Sequence, residues 1–398
     1  MSAEKKEPFI NKALVLLSAS HLVTDLTSGA LPVMLPFLKT AFDLTYAQVG
    51  VVVMAQNFTS SVIQPLFGYL ADRRSLPWII PVGALVGGVG LALSGLVGSY
   101  HLLLACVIIS GLGIAAFHPQ GSKSAHFVSA KSRRGQSMAV FALGGNAGMA
   151  CGTIFMTALL TLPGELINTT YFCVPALVTA ALLWLNLPAV SPAQPAGGAA
   201  ARKGEAAPAL PYFLLTVLLL FIFIRSCVHA GLTTYIPLYY VHYLGGSPAY
   251  ASSLLSIFLL AGVGGTYVGG TLSDKLGRKT VIMGSMLISW PLVALFPFTS
   301  GLTTLVLVAV TGFVLISTYS PLVVLAQEMM PGYEALAAGL TIGFTVGLGG
   351  VGATGLGYIA DYFGVPSVFT TIALLPPLTV LLATKLPGKL FKRDQPEG

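Results

Sequence analysis

About twelve long apolar stretches follow one another along the chain, and this pattern restricts the fold more than any other feature of the sequence. A bilayer core about 30 Å thick is crossed by roughly 20 residues of helix. Irregular backbone at that depth would leave peptide groups without hydrogen bonds, so we expect an all-α integral membrane protein. The predicted spans are 11–38, 46–71, 77–98, 101–127, 135–161, 167–187, 211–243, 248–273, 279–299, 301–329, 334–360 and 365–385.

The first stretch follows Lys5 and Lys6, as the apolar part of a secretory signal would. Its apolar run is longer than the core of a signal, contains His21 and Asp25, and leads directly into another stretch. We therefore interpret it as the first membrane helix.

A short phrase occurs twice in the chain, as Gly68-Tyr-Leu-Ala-Asp72-Arg73-Arg74 and as Gly270-Thr-Leu-Ser-Asp274-Lys275-Leu-Gly277-Arg278-Lys279. A shift of about 202 residues also places His118-Pro119 on Ser320-Pro321. Two halves related by an axis along the membrane normal are typical of secondary transporters. We predict one six-helix bundle over residues 1–190, a second over 209–398, and a cytoplasmic linker over 191–208.

The formal net charge of +7 is explained by the distribution of charge across a membrane. With an even number of spans and the N-terminus inside, seventeen of the 20 Lys and Arg residues lie in cytoplasmic segments. The exceptions are Lys39, Lys123 and Arg225. Both termini are therefore predicted to be cytoplasmic, and no nucleic-acid partner is expected.

On a twelve-helix chain, the phrase Gly-x-Leu-x-Asp-[Arg/Lys]-x-Gly-Arg-Lys after the second helix of each half resembles the major facilitator superfamily. The second copy is near complete, whereas Ser75, Leu76 and Pro77 replace the last three residues of the first copy. Further phrases resemble the fosmidomycin resistance protein group: His21-Leu-x-x-Asp25, Gln64-Pro65, Phe117-His118-Pro119, Gly144-Gly145-Asn146 and Ala326-Gln327-Glu328.

This resemblance implies a multi-pass protein of the bacterial inner membrane. It implies export of a small phosphonate antibiotic, or of another organic anion, by alternating access. We expect coupling to protons, with antiport and symport both open.

The repeated phrase also has a physical role that does not depend on the family. Asp72 and Asp274 are predicted at cytoplasmic helix ends beside basic residues, where a carboxylate can pair with arginine or with the positive end of a helix. Topogenic charge and a tight turn would explain the basic residues but not the recurring Gly and Asp. The predicted conformational latch consists of Gly68, Asp72, Arg73, Gly270, Asp274, Lys275, Arg278 and Glu328.

Two pairs of ionisable residues lie deep in apolar stretches, where burial of a charge costs at least a few kcal/mol. Asp25 has His21 one turn away on the same helix face, and Arg225 is followed one turn later by His229. Since the first and seventh helices are repeat partners, we expect the two pairs to face each other across a cavity. The alternative is a structural ion pair that locks the halves. Asp25 and His21 are the predicted proton-coupling residues.

Cationic and protonatable groups outnumber the one deep acid, which favours an anionic ligand, because arginine can hold an oxyanion bidentately. The predicted substrate-binding residues are Arg225, His118, Lys123, His229, Asn146, Gln56 and Tyr235. His118 precedes Pro119, a helix-breaking residue that would open carbonyls to a cavity. A membrane histidine is, however, often only a satisfied polar residue.

Small residues recur at four-residue spacing, which lets membrane helices approach closely. This spacing occurs at Gly148/Gly152, Gly265/Gly269 and Gly343/Gly347. We expect the fifth, eighth and eleventh helices to lie between the two halves.

The sequence lacks a phosphate-binding loop and metal-ligand spacing, so no ATP, cofactor or metal is expected. We predict a monomeric secondary transporter, with a membrane enzyme or a channel as the alternatives that the duplication disfavours. The direction stays open. Export of an anion from a negative interior gains about 2.3 kcal/mol per charge per 100 mV. An anion near Asp25 instead favours proton binding there, and therefore proton-coupled uptake of an anionic metabolite.

Overall fold

A computed structural model describes residues 11–73, 76–128, 134–190, 211–330 and 334–387, and all regular elements in these ranges are helical. The α-helices are α1 (Lys12–Ala41), α2 (Tyr46–Ser61), α3 (Gln64–Arg73), α4 (Ile79–Leu93), α5 (Tyr100–Phe127), α6 (Arg134–Leu160), α7 (Cys173–Leu185), α8 (Leu187–Val190), α9 (Tyr212–Leu238), α10 (Pro248–Leu276), α11 (Arg278–Leu295), α12 (Gly301–Ile316), α13 (Tyr319–Met329), α14 (Glu334–Phe363) and α15 (Pro366–Ala383).

Three irregular helical turns complete the described structure. The 3₁₀ helices Glu165–Phe172 and Phe296–Phe298 precede α7 and follow α11, and the π-helical turn Tyr239–Tyr243 continues α9. Nine helical spans in the described ranges are long and apolar enough to cross a membrane. The all-α membrane fold is thus confirmed, and the number of twelve crossings stays a prediction.

The predicted span 46–71 is divided into α2 and α3 at residues 62–63, immediately before Gln64 and Pro65. Pro65 has no N–H to bond the carbonyl of Ser61, four residues earlier, and its ring crowds that carbonyl, so the helix is interrupted there.

The predicted span 301–329 is likewise divided, at Ser317 and Thr318 between α12 and α13. Pro321 lies in the first turn of α13, where the missing N–H costs no hydrogen bond. By contrast, α5 runs without interruption through Pro119. The helix is thus not interrupted at Pro119, because the rest of α5 retains its helical bonding around the proline, and the kink expected there stays a prediction.

Two helix pairs join the parts of the chain predicted as separate halves: α2 packs along α14, and α6 packs along α10. Under the predicted duplication, α2 corresponds to α10 and α6 corresponds to α14, so the two contacts are equivalent. This arrangement is consistent with two similar halves. The boundaries 1–190 and 209–398 stay predictions, and the linker 191–208 lies outside the described residues.

The contact between α2 and α14 is tightest at one end. The distance to a hypothetical Cβ atom added to a glycine shows how closely the neighbouring helix approaches. Such an atom on Gly357 would lie 2.5 Å from the carbonyl oxygen of Tyr46, and one on Gly350 would lie 2.5 Å from the Cα of Met54. Near the other end of α2, the nearest atom to a Cβ on Gly343 is 3.6 Å away. The two helices therefore pack backbone to backbone from Tyr46 to Met54 and pack less closely near Ser61, where van der Waals contact remains.

Asp361 on α14 reinforces the tight end. Its carboxylate oxygens accept hydrogen bonds from the backbone N–H groups of Tyr46 and Ala47, at 2.7 and 2.9 Å. These are among the first N–H groups of α2, which have no partner within the helix and carry its positive dipole end. At the same end, His242 Nε2 lies 2.9 Å from the carbonyl oxygen of Pro36.

The glycine pairs pack differently from the prediction. Gly148 and Gly152 of α6 lie against the backbone of α1, and Gly265 and Gly269 of α10 lie against α12 and the residue that follows it. The helices α6, α10 and α14 do lie between the halves, but two of the three glycine pairs pack within a half. Hydroxyl groups instead join α6 to α10, where Thr153 and Thr157 bond to Ser256 and Ser252.

Candidate functional site

Asp25 lies near the middle of α1 with 7% of its surface exposed, and its carboxylate contacts two imidazoles. Oδ2 is 3.2 Å from His21 Nε2, and Oδ1 is 2.9 Å from His118 Nε2. The pairing with His21 was predicted from their spacing on one helix, whereas the pairing with His118 of α5 was not. We call these three side chains the Asp25 cluster.

The His21 side of the Asp25 cluster is closely packed against α6. The imidazole stacks on Phe141 with ring centroids 4.2 Å apart, and its Nδ1 is 2.7 Å from the Phe141 carbonyl oxygen. A Cβ on Gly145 would lie 2.5 Å from His21 Nε2 and 2.6 Å from Asp25 Oδ2. Glycine at position 145 therefore leaves the space that the pair occupies.

These contacts are consistent with one shared proton between His21 and Asp25. The Phe141 carbonyl can only accept, so His21 Nδ1 carries a hydrogen. If Nε2 and the carboxylate were both unprotonated, two lone pairs would face each other at 3.2 Å. Either the imidazole is doubly protonated beside a carboxylate, or a neutral carboxyl donates to a neutral imidazole. In either form, the pair of side chains carries one proton that it can release.

His118 has a partner on each of its ring nitrogens. Nε2 faces Asp25, and Nδ1 lies 3.2 Å from the amide nitrogen of Gln64, which also donates to the Ser60 carbonyl at 2.6 Å. The ligand atoms of the Asp25 cluster lie within 4.8 Å of one another, as they would in a metal site. Metal ligation through Nε2 would place a hydrogen on Nδ1, pointing at the Gln64 amide donor. The geometry therefore fits proton binding better than cation binding.

Arg225 lies on α9 with 2% of its surface exposed, and its guanidinium bonds to the break between α12 and α13. Nε donates to Thr318 Oγ1 at 3.1 Å, and Nη2 donates to the Leu315 carbonyl at 3.3 Å. In the described structure no carboxylate lies within ion-pair distance of Arg225. The direct ion pair with Asp25, kept open as an alternative, is thus not formed in this conformation.

Asp25 and Arg225 occupy equivalent places in the two halves. The contact from Asp25 to His118 and the contact from Arg225 to Thr318 both join residues 93 positions apart. Half-buried Tyr319, which follows Thr318, interacts electrostatically with both Asp25 and Arg225. Tyr319 therefore lies within the electrostatic range of both the acid and the guanidinium, and the predicted cavity between the two pairs stays a prediction.

The other predicted binding residues differ in their surroundings. His229 is half-buried beside the Phe258 ring, with centroids 5.6 Å apart. Gln56 bonds to Ser110 Oγ at 3.4 Å, and fully buried Tyr235 donates to the Ala353 carbonyl at 2.7 Å, so both contribute to helix packing. Asn146 is exposed next to Gly145, and Lys123 is half-buried on α5.

The second copy of the predicted latch is assembled within one half. Gly277 adopts a φ of 91° between α10 and α11, which turns Arg278 back toward the preceding helix end. The Arg278 guanidinium is 2.5 Å from Asp274 Oδ1 and 3.2 Å from Glu328 Oε1. Lys275 is exposed on α10.

The repeat glycines occupy matching positions in the two copies of the latch. A Cβ on Gly68 would lie 3.7 Å from Pro119, and one on Gly270 would lie 3.2 Å from Ser320 Oγ. The side chains of Asp72 and Arg73 lie outside the described residues. The role of either copy as a latch stays a prediction.

The close packing at Gly145 leads to a first testable prediction. Gly145→Ala should displace the ends of His21 and Asp25 and lower substrate transport at least about tenfold, while the melting temperature changes little. Gly148→Ala is the comparison, since its Cβ would meet the backbone of Leu22 rather than a side chain. That variant should lower the melting temperature more. Normal transport by folded Gly145→Ala would show that the position of the Asp25 cluster is not critical.

Comparison with known proteins places the chain in one family. Residues 17–354 match the model of the Major Facilitator Superfamily. The fosmidomycin resistance protein of Escherichia coli (strain K12) is 33% identical over 374 residues, which cover 92% of this chain and 90% of that protein. The uncharacterized MFS-type transporter YfnC of Bacillus subtilis (strain 168) is 31% identical over 388 residues, which cover 96% and 94%.

Solved structures share the fold at lower sequence identity. A bacterial homolog to the human lysosomal transporter Spinster, in an inward-facing and occupied conformation, has a TM-score of 0.75 and 17% identity, covering 96% of this chain and 95% of that chain. A mutant of the nucleoside transporter NupG has a TM-score of 0.75 and 14% identity, covering 94% and 100%. With the family match over most of its length, the chain belongs to the Major Facilitator Superfamily of membrane transporters.

Proposed function

We propose that this transporter exports small organic anions, phosphonates or carboxylates, in exchange for protons by alternating access. The observation that carries the proposal is the buried guanidinium of Arg225, which has no carboxylate partner in the described structure and shares Tyr319 as an electrostatic neighbour with the Asp25 cluster. Transporters of this superfamily carry small-molecule substrates and sit in a lipid bilayer, and the bacterial relatives support a location in the plasma membrane. The family also implies that the protein is not an enzyme.

The surroundings of Arg225 support an anionic substrate. Two of its donor nitrogens bond to neutral acceptors, the Thr318 hydroxyl and the Leu315 carbonyl, which orient the guanidinium without neutralising it. A buried cation without a counter-ion is expensive, and an oxyanion would reduce this cost. The guanidinium can offer two parallel donors to a phosphonate or carboxylate. His229, one turn away, lies beside the same charge.

The Asp25 cluster supports proton coupling. The His21–Asp25 pair can hold one proton, and His118 connects the pair to a more accessible region, since 25% of its side chain is exposed. Tyr319 lies within the electrostatic range of both the acid and the guanidinium. Proton binding in one half and anion binding in the other can therefore influence each other.

Alternating access is supported by the unequal contact between the halves. Asp361 and the close approach of α2 to α14 hold one end together, and α2 packs less closely against α14 toward the other end. In the predicted topology the closed end faces away from the cytoplasm. We therefore infer a state whose site opens to the cytoplasm, with both termini on that side and the protein acting as a monomer.

The proposed direction of transport is based on the name of a similar protein and not on an electrostatic argument. A protein named for fosmidomycin resistance, 33% identical to this chain, supports efflux. Proton-coupled uptake of an anionic metabolite is the second candidate, because an anion at Arg225 favours proton binding by the Asp25 cluster.

Transport into proteoliposomes tests the proposal and separates its two directions of coupling. With the membrane potential clamped, an acidic lumen should drive accumulation of fosmidomycin if protons leave as the anion enters. An alkaline lumen should drive accumulation if proton and anion move together. We expect accumulation with the acidic lumen, whatever the orientation of the protein. Accumulation only with the alkaline lumen would establish cotransport, and transport that does not respond to pH would refute proton coupling.

A further inference from the structure

Gln64 is the first residue of α3, at the point where the second membrane segment is broken. Because Pro65 follows it, regular helical hydrogen bonding is interrupted here. The Gln64 side chain takes over part of this bonding, as its amide nitrogen donates to the Ser60 carbonyl at 2.6 Å. A carbonyl only accepts, so this contact identifies the nitrogen end of the amide.

The same amide nitrogen lies 3.2 Å from His118 Nδ1. The nitrogen carries two hydrogens, one directed at Ser60 and the other available to His118. His118 Nδ1 must then accept, which places the imidazole hydrogen on Nε2. That hydrogen points at Asp25 Oδ1, 2.9 Å away. The Gln64 amide therefore determines that His118 donates to Asp25 rather than accepts from it.

We propose that Gln64 is a positioning residue, which fixes the tautomer of His118 and links the Asp25 cluster to the break between α2 and α3. The link to transport rests on the proposed proton coupling. A change in the angle between α2 and α3 would move the amide away from His118 and free Nδ1 to take a hydrogen. Asp25 would then lose the hydrogen bond that it accepts from His118, and the affinity of the His21–Asp25 pair for its proton would change.

The titratable groups around His118 are few. Asp25 and His21 approach from α1, and Lys123 lies on α5 itself. Tyr319 of α13 interacts electrostatically with Asp25, and Tyr69 lies on α3 among the residues whose side chains the structure describes. The facing residues of α6, Phe141 and Gly145, carry no titratable group.

The tautomer can be measured directly on the full-length protein in lipid nanodiscs. Nitrogen-15 NMR of labelled histidine, with the His118 signal assigned by His118→Gln, should show hydrogen on Nε2 and none on Nδ1 in the unsubstituted chain. In Gln64→Met, which keeps the volume but removes the amide donor, both tautomers should appear. In Gln64→Glu, a carboxylate faces Nδ1, and His118 should be doubly protonated over a wider pH range.

Transport gives the functional readout. The midpoint of the pH profile for fosmidomycin transport should move upward by about one unit or more in Gln64→Glu. Gln48→Glu is the matched control, because Gln48 only accepts from the Thr45 N–H in a capping box where Glu serves equally well. Its midpoint should not move.

Either of two results would overturn the proposal: hydrogen on His118 Nδ1 in the unsubstituted chain, or an unchanged tautomer in folded Gln64→Met. Since NMR needs no transport, it decides the role of Gln64 even where transport proves independent of protons. Transport that is independent of protons would instead refute the proposed proton-coupled function.

Discussion

Arg225→Ala should abolish anion transport while the protein remains folded in the membrane. Its guanidinium has no carboxylate partner in the described structure, so the substitution strands no buried acid. The Leu315 carbonyl keeps its bond from the Thr318 hydroxyl, at 2.7 Å. Loss of a buried charged contact to the substrate should remove about 2 to 5 kcal/mol of binding free energy, a factor of roughly 30 or more in Kd.

Conservative variants separate the charge of Arg225 from its shape. Arg225→Lys retains a positive charge but cannot bond to Thr318, Leu315 and an oxyanion at once, so it should recover little transport. Thr318→Val removes the acceptor of Nε at nearly constant volume and should give an intermediate loss.

Lys385→Ala is the control for net charge, because this lysine is exposed beyond α15. It should transport normally. Binding of fosmidomycin to each purified variant is measured by isothermal titration calorimetry. Unchanged affinity in Arg225→Ala would exclude Arg225 as the anion site.

The helical fold could be predicted from the sequence because the bilayer leaves few alternatives for a long apolar stretch. The positions at which individual helices are interrupted could not be predicted from the sequence. Pro65 divides one predicted span into α2 and α3, whereas Pro119 leaves α5 continuous. A proline removes one hydrogen bond in each case, and whether the helix tolerates that loss depends on what packs around it.

The sequence predicted which residues belong to the candidate site better than it predicted which of them contact one another. The pair His21 and Asp25 followed from local spacing, since residues four apart share a helix face. The contact between Asp25 and His118 depends on how α1 packs against α5, and no local pattern contains it. The duplication held a partial signal, because Asp25 and His118 each precede Arg225 and Thr318 by 200 residues, so that both contacts join residues 93 positions apart.

Gln64 and Thr318 have contacts that sequence reasoning did not assign, although the Gln64-Pro65 phrase was singled out. Both are uncharged, and membrane helices commonly use such groups to bond one another. Their importance comes from the groups they orient: Gln64 directs a hydrogen bond at His118, and Thr318 holds the guanidinium of Arg225. A search of the sequence for ionisable residues deep in apolar stretches finds His118 and Arg225, but it does not find the uncharged residues that orient them.

Asp25→Asn should remove the dependence of transport on a pH gradient and leave substrate binding intact. An asparagine can reproduce the hydrogen bonds of a protonated Asp25: its oxygen accepts from His118 Nε2, and its amide donates to His21 Nε2. The variant therefore imitates the proton-loaded state but has no proton to release. With the potential clamped and one proton exchanged per anion, a gradient of two pH units can drive up to about 100-fold accumulation in the unsubstituted protein.

In Asp25→Asn that accumulation should fall to the level without a gradient, whereas exchange of labelled for unlabelled fosmidomycin should persist, because exchange needs no net proton movement. Asp43→Asn provides the matched control. Asp43 is exposed after α1 with a φ of 50°, a conformation that asparagine also tolerates. It should accumulate substrate normally. If Asp25→Asn still accumulates substrate on a pH gradient alone, Asp25 orients His21 and His118 without carrying the coupled proton, and His118→Gln becomes the deciding variant.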